Sequence, residues 1–533
     1  MRFGRRGFLG AGAAALGIRA RAAITPDWPS LAGSYEAPDW FRDAKFGIWA
    51  HWSAQSVPEA GDWYGRLMYV QGSRFYRHHL AHYGHPADRG FLEIEGAWKA
   101  EQWDPEALVA LYKRAGAKYF VALACHHDNL DTWASSHHAW NTIRVGPKRD
   151  IVGTWEKLVR KAGLRFGVSN HASHAWHWWQ TAYGYDAEGP RAGERYDAFR
   201  LGKADGKGRW WEGLDPQELY TGAWYAPPDG IGSIAAMDAW HEAHDGRWLE
   251  TAPPAPAAFV AKWLARQNEL VDKYRPDLVY LDDAGVPFGP TGLKAVAHYY
   301  AKSIQWHGKV DVVVTAKLLT AYQRRALMED VERGYSDRLR GKPWQTCTCI
   351  GDWHYNRQRF LDKSYVPASK VIQRLCDVVS KNGNLLLSIP MRGDGTIDAE
   401  EEAIVAAIAR WMAVNGKAIH GSRPWRIYGE GPTKTGGGKL EESKVTGFQP
   451  EDVRFTVRDG ALNMAMLAWP SAPVRISSLG LHALKGAKIA RASLLGGGPI
   501  DVRQDGDSAT FTLPAATAGQ FVPVLRLDGS GLV

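Results

Sequence analysis

The sequence predicts an α/β fold, a (β/α)₈-like TIM barrel followed by a C-terminal β-sandwich. From about residue 40 to 420, short apolar runs alternate with amphipathic helical stretches, which is typical of a barrel. After about residue 421 the chain changes to short strand-like segments at regular spacing, separated by turns rich in glycine. We therefore expect a barrel over residues 24–420 and a sandwich over residues 421–533.

The barrel strands are predicted from runs that are apolar on both faces, as strands of a buried parallel sheet are. Residues 105–116 form one of the helical patterns between the runs. The runs cover residues 45–52, 117–127, 164–170, 277–282, 310–315 and 384–389.

Several of these runs end in polar side chains. The residues concerned are His51, His126, His127, Asn170, His171, Asp282 and Asp283. Because the carboxyl ends of barrel strands carry the active site in enzymes of this fold, we expect a site at these ends.

Residues 172–255 interrupt the alternation with many Trp, Gly and Pro residues. Two interpretations stay open, a loop insertion that shapes the cleft over the barrel mouth and an insertion with a small core of its own. The chain holds 25 Trp in all, and the flat indole ring suits stacking against sugar faces as well as core packing.

The C-terminal region shows no catalytic cluster. Its glycine-rich stretch over residues 435–439 is interpreted as a turn. Packing against the barrel and glycan binding both remain open as roles for this domain. Strands are predicted over residues 453–457, 463–469, 474–476, 488–495, 509–513 and 521–527.

The N-terminus has the pattern of an export signal. Arg5 and Arg6 precede a short run of small apolar residues, and Ala20 and Ala22 form an A-x-A cleavage site. The run is too short to span a bilayer. We therefore predict a twin-arginine signal peptide over residues 1–23 and a periplasmic or secreted protein.

Charge and cysteine content exclude other classes. The net charge is +8, but Lys and Arg are interspersed with Asp and Glu, so no nucleic-acid partner and no membrane span are expected. Cys125, Cys347, Cys349 and Cys376 lack the spacing of a zinc site. We expect buried thiols, and a bridge involving Cys376 stays open.

Three stretches resemble the retaining α-L-fucosidases of glycoside hydrolase family 29. They are residues 45–64, which contain KFGIWAHWS, residues 126–153, which begin with His-His-Asp, and residues 276–283, PDLVYLDD. Residues 383–397 and 420–425 match further family motifs in the same order. The resemblance implies hydrolysis of terminal α-L-fucosides on fucosylated glycans, without a cofactor or metal.

Retaining glycosidases use two carboxyl groups, one as nucleophile and one as acid/base. Asp282 stands in Tyr-x-Asp, where the family has an aromatic-x-Asp, and the resemblance makes it the nucleophile. Asp283 is the rival, but neighbours on a strand point in opposite directions, so only one of the two can face the substrate.

The acid/base is less clear, because Gln345 replaces the Glu of the family's Trp-Glu-Thr. Glutamine cannot donate and retake a proton. We consider Glu332 first and Asp352 second as the acid/base. The alternatives are a catalytically impaired fucose-binding protein and a related glycosidase that acts on another α-L-deoxysugar or a galactoside.

The resemblance also supplies substrate-binding residues. Imidazole suits sugar hydroxyls because it donates from one nitrogen and accepts at the other. We expect no metal, since the adjacent His126 and His127 would face opposite ways on one strand. The predicted substrate-binding residues are His51, Trp52, Asp62, Trp63, His126, His127, Arg333 and Trp353.

Overall fold

The structure, a computed structural model, describes residues 23–246, 254–445 and 447–533. The predicted signal peptide over residues 1–23 therefore lies almost wholly outside the described residues.

Eight parallel strands form the barrel in the order β6-β5-β4-β3-β2-β1-β8-β7. A parallel bridge between Asp330 and Gln345 joins the two outer strands and closes the circle. This confirms the predicted TIM barrel. The strands are β1 (Phe46–Ala50), β2 (Tyr119–Cys125), β3 (Arg165–Asn170), β4 (Leu278–Ala284), β5 (Val313–Lys317), β6 (Met328–Glu329), β7 (Trp344–Cys349) and β8 (Gly383–Ser388).

Large side chains fill the inside of the barrel. Trp49, Tyr119 and Tyr280 belong to one buried cluster there, each at most 1% exposed. A Cβ on Gly47 would lie 2.4 Å from the Tyr119 ring, so only glycine at this position leaves room for that ring. The interior is thus a packed floor on which the site at the strand ends rests.

Sixteen α-helices lie in the described ranges, and those after the strands cover the barrel. Helix α7, for example, begins after the N-cap Asp150 and buries Ile151, Val152 and Trp155 against the strands. The connections from β5 to β6 and from β6 to β7 contain no α-helix. The helices are α1 (Trp28–Ser34), α2 (Asp39–Ala44), α3 (Tyr64–Leu67), α4 (Arg74–His82), α5 (Phe91–Ala97), α6 (Pro105–Arg114), α7 (Ile151–Lys161), α8 (Ala175–Trp178), α9 (Asp197–Arg200), α10 (Pro216–Leu219), α11 (Ile234–His244), α12 (Ala257–Tyr274), α13 (Pro290–His307), α14 (Arg357–Leu361), α15 (Ala368–Ser380) and α16 (Ala399–Ile419).

The region predicted as an insertion consists of short helices that pack on the barrel. Trp178, Trp179 and Tyr220 are fully buried in the main core. A small separate cluster of Tyr185, Ala187 and Met237 lies beside it. The described part of the insertion thus has features of both interpretations.

The C-terminal region forms two antiparallel sheets around its own apolar core, which confirms the predicted sandwich. One sheet has the order β13-β16-β11-β10-β9 and the other β12-β15-β14. The sequence missed β9 and β14. The strands are β9 (Arg423–Glu430), β10 (Val453–Arg458), β11 (Ala461–Met466), β12 (Val474–Ile476), β13 (Arg491–Leu494), β14 (Asp501–Gln504), β15 (Ala509–Thr512) and β16 (Val524–Asp528).

The cysteines and the possible membrane spans are considered within the described ranges. The four cysteines are buried free thiols, and burial raises the pKa of each. A helix long and apolar enough to cross a membrane does not occur in these ranges.

Candidate active site

One cavity of about 240 Å³ opens at the carboxyl ends of the barrel strands. Its volume lies just below the usual range for small-molecule sites, which suits a single sugar residue. Strands β1 to β7, or the residues that follow them, each contribute at least one side chain. The lining residues are Trp49, His51, Trp63, His126, His127, His171, His174, Tyr280, Asp282, Lys317, Glu332, Trp353 and Lys439.

Asp282 lies near the end of β4 with its carboxylate in the cavity. It contacts the Lys317 ammonium, His171 Nδ1 at 3.2 Å and His127 Nε2 at 3.6 Å. Burial alone would raise the pKa of Asp282, but Lys317, with His171 and His127, holds that pKa well below its usual range. The carboxylate is therefore ionised and fixed in place, as a nucleophile needs to be.

Asp283 points elsewhere. Its Oδ2 accepts a hydrogen bond from Ser173 Oγ at 2.8 Å, and its Oδ1 lies 3.3 Å from His174 Nε2. Burial lowers the pKa of His174, but Asp283 outweighs this and raises it. Because neighbours on β4 point in opposite directions, Asp282 alone of the pair lines the cavity.

Glu332 follows β6 and lines the same cavity as Asp282. Lys317 Nζ contacts Asp282 and also lies 2.9 Å from Glu332 Oε2. Because one nitrogen contacts both, the Asp282 oxygen and Glu332 Oε2 cannot be farther apart than the sum of their two distances from Lys317 Nζ. The two carboxyl groups are therefore close enough for the spacing of about 5–5.5 Å found in retaining glycosidases.

The other acid/base candidate and the family-motif glutamine lie outside the cavity. Asp352 pairs with Arg359 at 2.8 Å and accepts from Asn356 Nδ2 at 2.6 Å. Gln345 is fully buried inside the barrel, where its amide donates to Asp330 Oδ1 at 2.9 Å. Among the three positions considered for a proton donor, only Glu332 lines the cavity.

Three histidines form the cavity floor in their neutral state. Burial lowers the pKa of His51, His126 and His127 well below the usual value. The Gln55 amide donates to His126 Nδ1 at 2.8 Å, so Nε2 is the protonated nitrogen of that ring. His51 Nδ1 is buried without a hydrogen-bond partner among the described residues. The His126 Nε2–H is thus the donor that this ring can offer to a hydroxyl group of a ligand.

Adjacent His126 and His127 both line the cavity, contrary to the expected opposite orientation. The reason is that β2 ends at Cys125, so neither residue is on the strand. The two ring centroids lie 4.3 Å apart.

Among the residues that the structure describes, two groups of side chains bring their ligand atoms within 4.8 Å of one another, as a metal site would need. One is His51, His126 and His171, and the other is His127, His171 and Asp282. The second suits a cation poorly, because the Lys317 ammonium already contacts Asp282. In the first, His126 keeps its proton on Nε2 through Gln55, which opposes metal ligation by that nitrogen.

Three of the predicted substrate-binding residues lie outside the cavity. Trp52 is buried against Trp98 and Trp103, and its indole donates to Arg392 O at 2.8 Å. Asp62 accepts the backbone N–H groups of Trp353 at 3.1 Å and His354 at 2.7 Å, and so holds the loop after β7.

Arg333 is the third of these residues. Its Nε donates to Glu442 Oε1 at 2.6 Å, so the guanidinium binds a carboxylate of the protein itself. The remaining five predicted binding residues, His51, Trp63, His126, His127 and Trp353, line the cavity.

Sequence reasoning missed six lining residues, Trp49, His171, His174, Tyr280, Lys317 and Lys439. His171 was noted at a strand end without a role. Lys317 ends β5 and could have been found by the same criterion of a polar residue at a strand end. Lys439 lies in the C-terminal region, where no local pattern indicates a site.

The structure of the Thermotoga maritima alpha-fucosidase in complex with fucose superposes with a TM-score of 0.68 at 23% identity, covering 95% of this chain and 100% of that one. Alpha-L-fucosidase isoenzyme 1 from Paenibacillus thiaminolyticus gives a TM-score of 0.61 at 17% identity, covering 92% and 98%. At these levels of identity, the two superpositions show that the fold is shared.

Sequence relatives include tissue alpha-L-fucosidase of Rattus norvegicus, 27% identical over 93% of this chain and 90% of the relative. Human tissue alpha-L-fucosidase is 26% identical over 98% and 95%. The sequence profile described as alpha-L-fucosidase matches residues 13–417. The chain belongs to the alpha-L-fucosidase family.

Proposed function

We propose that the protein is a retaining exo-glycosidase that hydrolyses terminal α-L-fucosides through a covalent glycosyl-Asp282 intermediate. The observation that carries the proposal is the contact of one ammonium, Lys317 Nζ, with both Asp282 and Glu332 inside the cavity. This arrangement supplies an ionised nucleophile and a second carboxyl group at the short separation that retention requires.

In the first step, Asp282 Oδ attacks the anomeric carbon and the bond to the leaving oxygen breaks. Glu332 gives its proton to that oxygen, so the aglycone departs as an alcohol. In the second step, Glu332 takes a proton from water, whose oxygen attacks the anomeric carbon and releases Asp282. The sugar leaves with its original configuration, and both carboxyl groups return to their starting state.

The cavity suits one terminal sugar. The imidazoles of His51, His126 and His127 line it in the neutral state, and His126, whose Nδ1 accepts from Gln55, offers its Nε2–H to a sugar hydroxyl. Trp63 and Trp353 line the same cavity and offer apolar surface to a sugar that carries a methyl group in place of one hydroxymethyl. A cavity of about 240 Å³ is of the size that suits one terminal sugar residue.

The binding-only alternative rested on Gln345. This glutamine donates to Asp330 within the barrel, away from the cavity, while Glu332 lines the cavity. A carboxyl group for proton transfer is therefore present despite the glutamine, which favours the hydrolase.

The substrate assignment is tested by comparing 4-nitrophenyl α-L-fucoside with the matching α-L-rhamnoside and α-D-galactoside. We expect the highest kcat/KM on the fucoside, and ¹H NMR at early times should show the α-anomer of fucose first. Faster hydrolysis of another sugar, or first release of the β-anomer, would contradict the proposal.

The acid/base assignment is tested by azide rescue. In Glu332→Ala, azide should restore turnover of an activated aryl fucoside and give a fucosyl azide, because azide attacks the anomeric carbon and displaces Asp282 without needing a general base. Asp352→Ala is the matched control and should show no such azide product. Rescue of Asp352→Ala alone would assign the role to Asp352.

We also propose export to the periplasm or the medium by the twin-arginine route, which rests on Arg5 and Arg6 and the following apolar run. Replacing both arginines with lysine should leave the precursor in the cytoplasm. Normal export of this variant would exclude the route.

A further inference from the structure

A segment of the C-terminal region reaches the active site. Lys439 lies in the connection between β9 and β10, yet it lines the same cavity as Asp282 and Glu332. Its Nζ is 3.6 Å from Glu332 Oε2. The predicted glycine-rich turn over residues 435–439 thus delivers a cation to the proposed acid/base.

Backbone hydrogen bonds fix this segment beside the chain that carries Glu332. Gly438 N donates to Tyr335 O at 3.2 Å, and Leu440 N donates to Glu332 O at 2.9 Å. A Cβ on Gly334 would lie 2.0 Å from Gly438 O, so the two backbones approach as closely as glycine permits. The backbone of Lys439, between these two donors, is therefore held beside the chain that carries Glu332.

Glu442 fastens the same segment to the barrel through side chains. It accepts from Arg333 Nε at 2.6 Å and from Thr348 Oγ1 at 2.7 Å, and it contacts Arg374. Burial would raise the pKa of Glu442, but Arg374 and Arg333 lower it, so the carboxylate stays charged and the network is intact.

The charges around Glu332 are unequal between its two oxygens. Lys317 at 2.9 Å and Lys439 at 3.6 Å both approach Oε2. Because both ammonium groups lie beside Oε2, Oε1 is the better oxygen to hold the proton that passes to the leaving group. An ammonium beside Oε2 stabilises the carboxylate that forms once this proton has been given away.

We infer that Lys439 is a positioning residue that acts through Glu332, holding Oε2 and stabilising the carboxylate formed when the leaving oxygen is protonated. This inference rests on the proposed function. It makes the C-terminal region part of the catalytic machinery, with a role on the leaving-group side of the cavity.

The inference has a kinetic signature that a purely structural role lacks. Protonation matters most when the leaving group is a poor one, such as phenol, and little when it is 2,4-dinitrophenol. Loss of Lys439 should therefore slow glycosylation selectively for poor leaving groups. The second step should not be slowed, because Glu332 acts there as a base and an adjacent cation weakens a base.

The experiment measures kcat/KM for phenyl and 2,4-dinitrophenyl α-L-fucosides. Lys439→Met should lose roughly tenfold on the phenyl substrate and less than about threefold on the dinitrophenyl substrate. Lys439→Arg, which keeps the charge, should retain most activity on both. Lys444→Met is the matched control, since Lys444 is exposed in the same segment and pairs with Glu441.

A second comparison tests whether Lys439 acts through Glu332. In a Glu332→Gln background, Lys439→Met should cause no further loss on the phenyl substrate. Equal losses on both substrates, an equal loss in Lys439→Arg, or additive losses with Glu332→Gln would overturn the inference. A wild-type protein that hydrolyses no fucoside would contradict the proposed function and the inference with it, whereas an active wild type matched by Lys439→Met would overturn the inference alone.

Discussion

Asp282 illustrates how the site keeps a buried carboxylate ionised. Removal from water disfavours the charged form, and only nearby positive or polar groups can offset that cost. Lys317 supplies the charge, and its own pKa is raised because Asp282 and Glu332 outweigh its burial. The pair therefore stays ionised across the range in which the enzyme would work.

This coupling predicts a shift in pH dependence for Lys317→Met. Without the ammonium, burial dominates and the pKa of Asp282 rises, so the carboxylate becomes protonated at higher pH than in the wild type. The acidic limb of kcat/KM for 2,4-dinitrophenyl α-L-fucoside should move to higher pH by at least about one unit. Lys317→Arg is the control, and an unmoved limb in Lys317→Met would refute this role of the cation.

For single residues, the sequence predicts the site residues that stand at the ends of strands. It misses those whose position depends on contacts with residues far away along the chain. His51, His126, His127 and Asp282 were found because each ends an apolar run. Trp52 was misplaced into the site because its motif does not show that the indole packs against Trp98 and Trp103. Lys439 could not be found, since its contact with Glu332 arises only in the folded chain.

Among the elements, the strands that the sequence missed are those with polar or very short sequences. Strand β7 reads WQTCTC, and all six residues are nevertheless buried. They satisfy their polar atoms inside the barrel, as Gln345 does with Asp330 and Tyr119. Strand β6 has only two residues. A search for apolar runs cannot find such strands. Their polar side chains are hydrogen-bonded inside the barrel, or the strand is too short to form a run.

Helix α5 carries a buried acid whose ionisation should oppose folding. Glu95 is 0% exposed, and neither carboxyl oxygen has a hydrogen-bond partner among the described residues. Burial, with a contribution from Asp128, raises the pKa of Glu95 well above its usual value. The folded state therefore keeps Glu95 protonated at pH values where the unfolded chain would lose the proton.

Glu95→Gln should accordingly stabilise the protein at neutral pH. Below the unfolded pKa of about 4.3 both states bind the proton and the benefit should vanish; it should grow as the pH rises toward the folded pKa. At pH 7 we expect at least about 1 kcal/mol in the free energy of urea unfolding. Glu101→Gln, at an exposed position, is the control and should change little. A benefit of the same size at pH 4 would contradict this account.

For the whole molecule, the barrel and the sandwich share buried surface. Trp411 of α16 donates its indole N–H to Val522 O at 2.9 Å. Helix α15 contributes Asp377, which is fully buried and contacts Lys381 at 2.8 Å and Arg454 of β10 at 2.6 Å. A buried charged group of this kind holds the two regions in one orientation, which the Lys439 segment needs in order to reach the cavity.

Arg454→Met should therefore weaken the whole protein. Asp377 would keep one cation but lose the other, and breaking a buried pair costs about 3 kcal/mol or more. Urea unfolding followed by Trp fluorescence measures the loss. Arg491→Met is the matched control in the same sandwich, because Arg491 is 70% exposed and its pair with Asp528 is worth no more than about 1 kcal/mol. Equal effects of the two changes would exclude a structural role for the buried group.

The domain order was predictable at this scale, because the change from alternating helices and strands to closely spaced strands is visible along the chain. The joining of the two regions was not. It depends on buried contacts such as that of Arg454 with Asp377, and nothing in the sequence distinguishes Arg454 from other basic residues in strands. It also depends on the glycine-rich turn, whose Gly438 approaches Gly334 closely.

We propose that Asp282, and not its neighbour Asp283, attacks the sugar. This assignment is tested most directly by measuring kcat for Asp282→Asn and Asp283→Asn side by side on 2,4-dinitrophenyl α-L-fucoside. We expect Asp282→Asn to lose about 10⁴-fold or more, and Asp283→Asn, which loosens His174, to lose at most about 100-fold. Wild-type turnover by Asp282→Asn, or a greater loss in Asp283→Asn, would contradict the account.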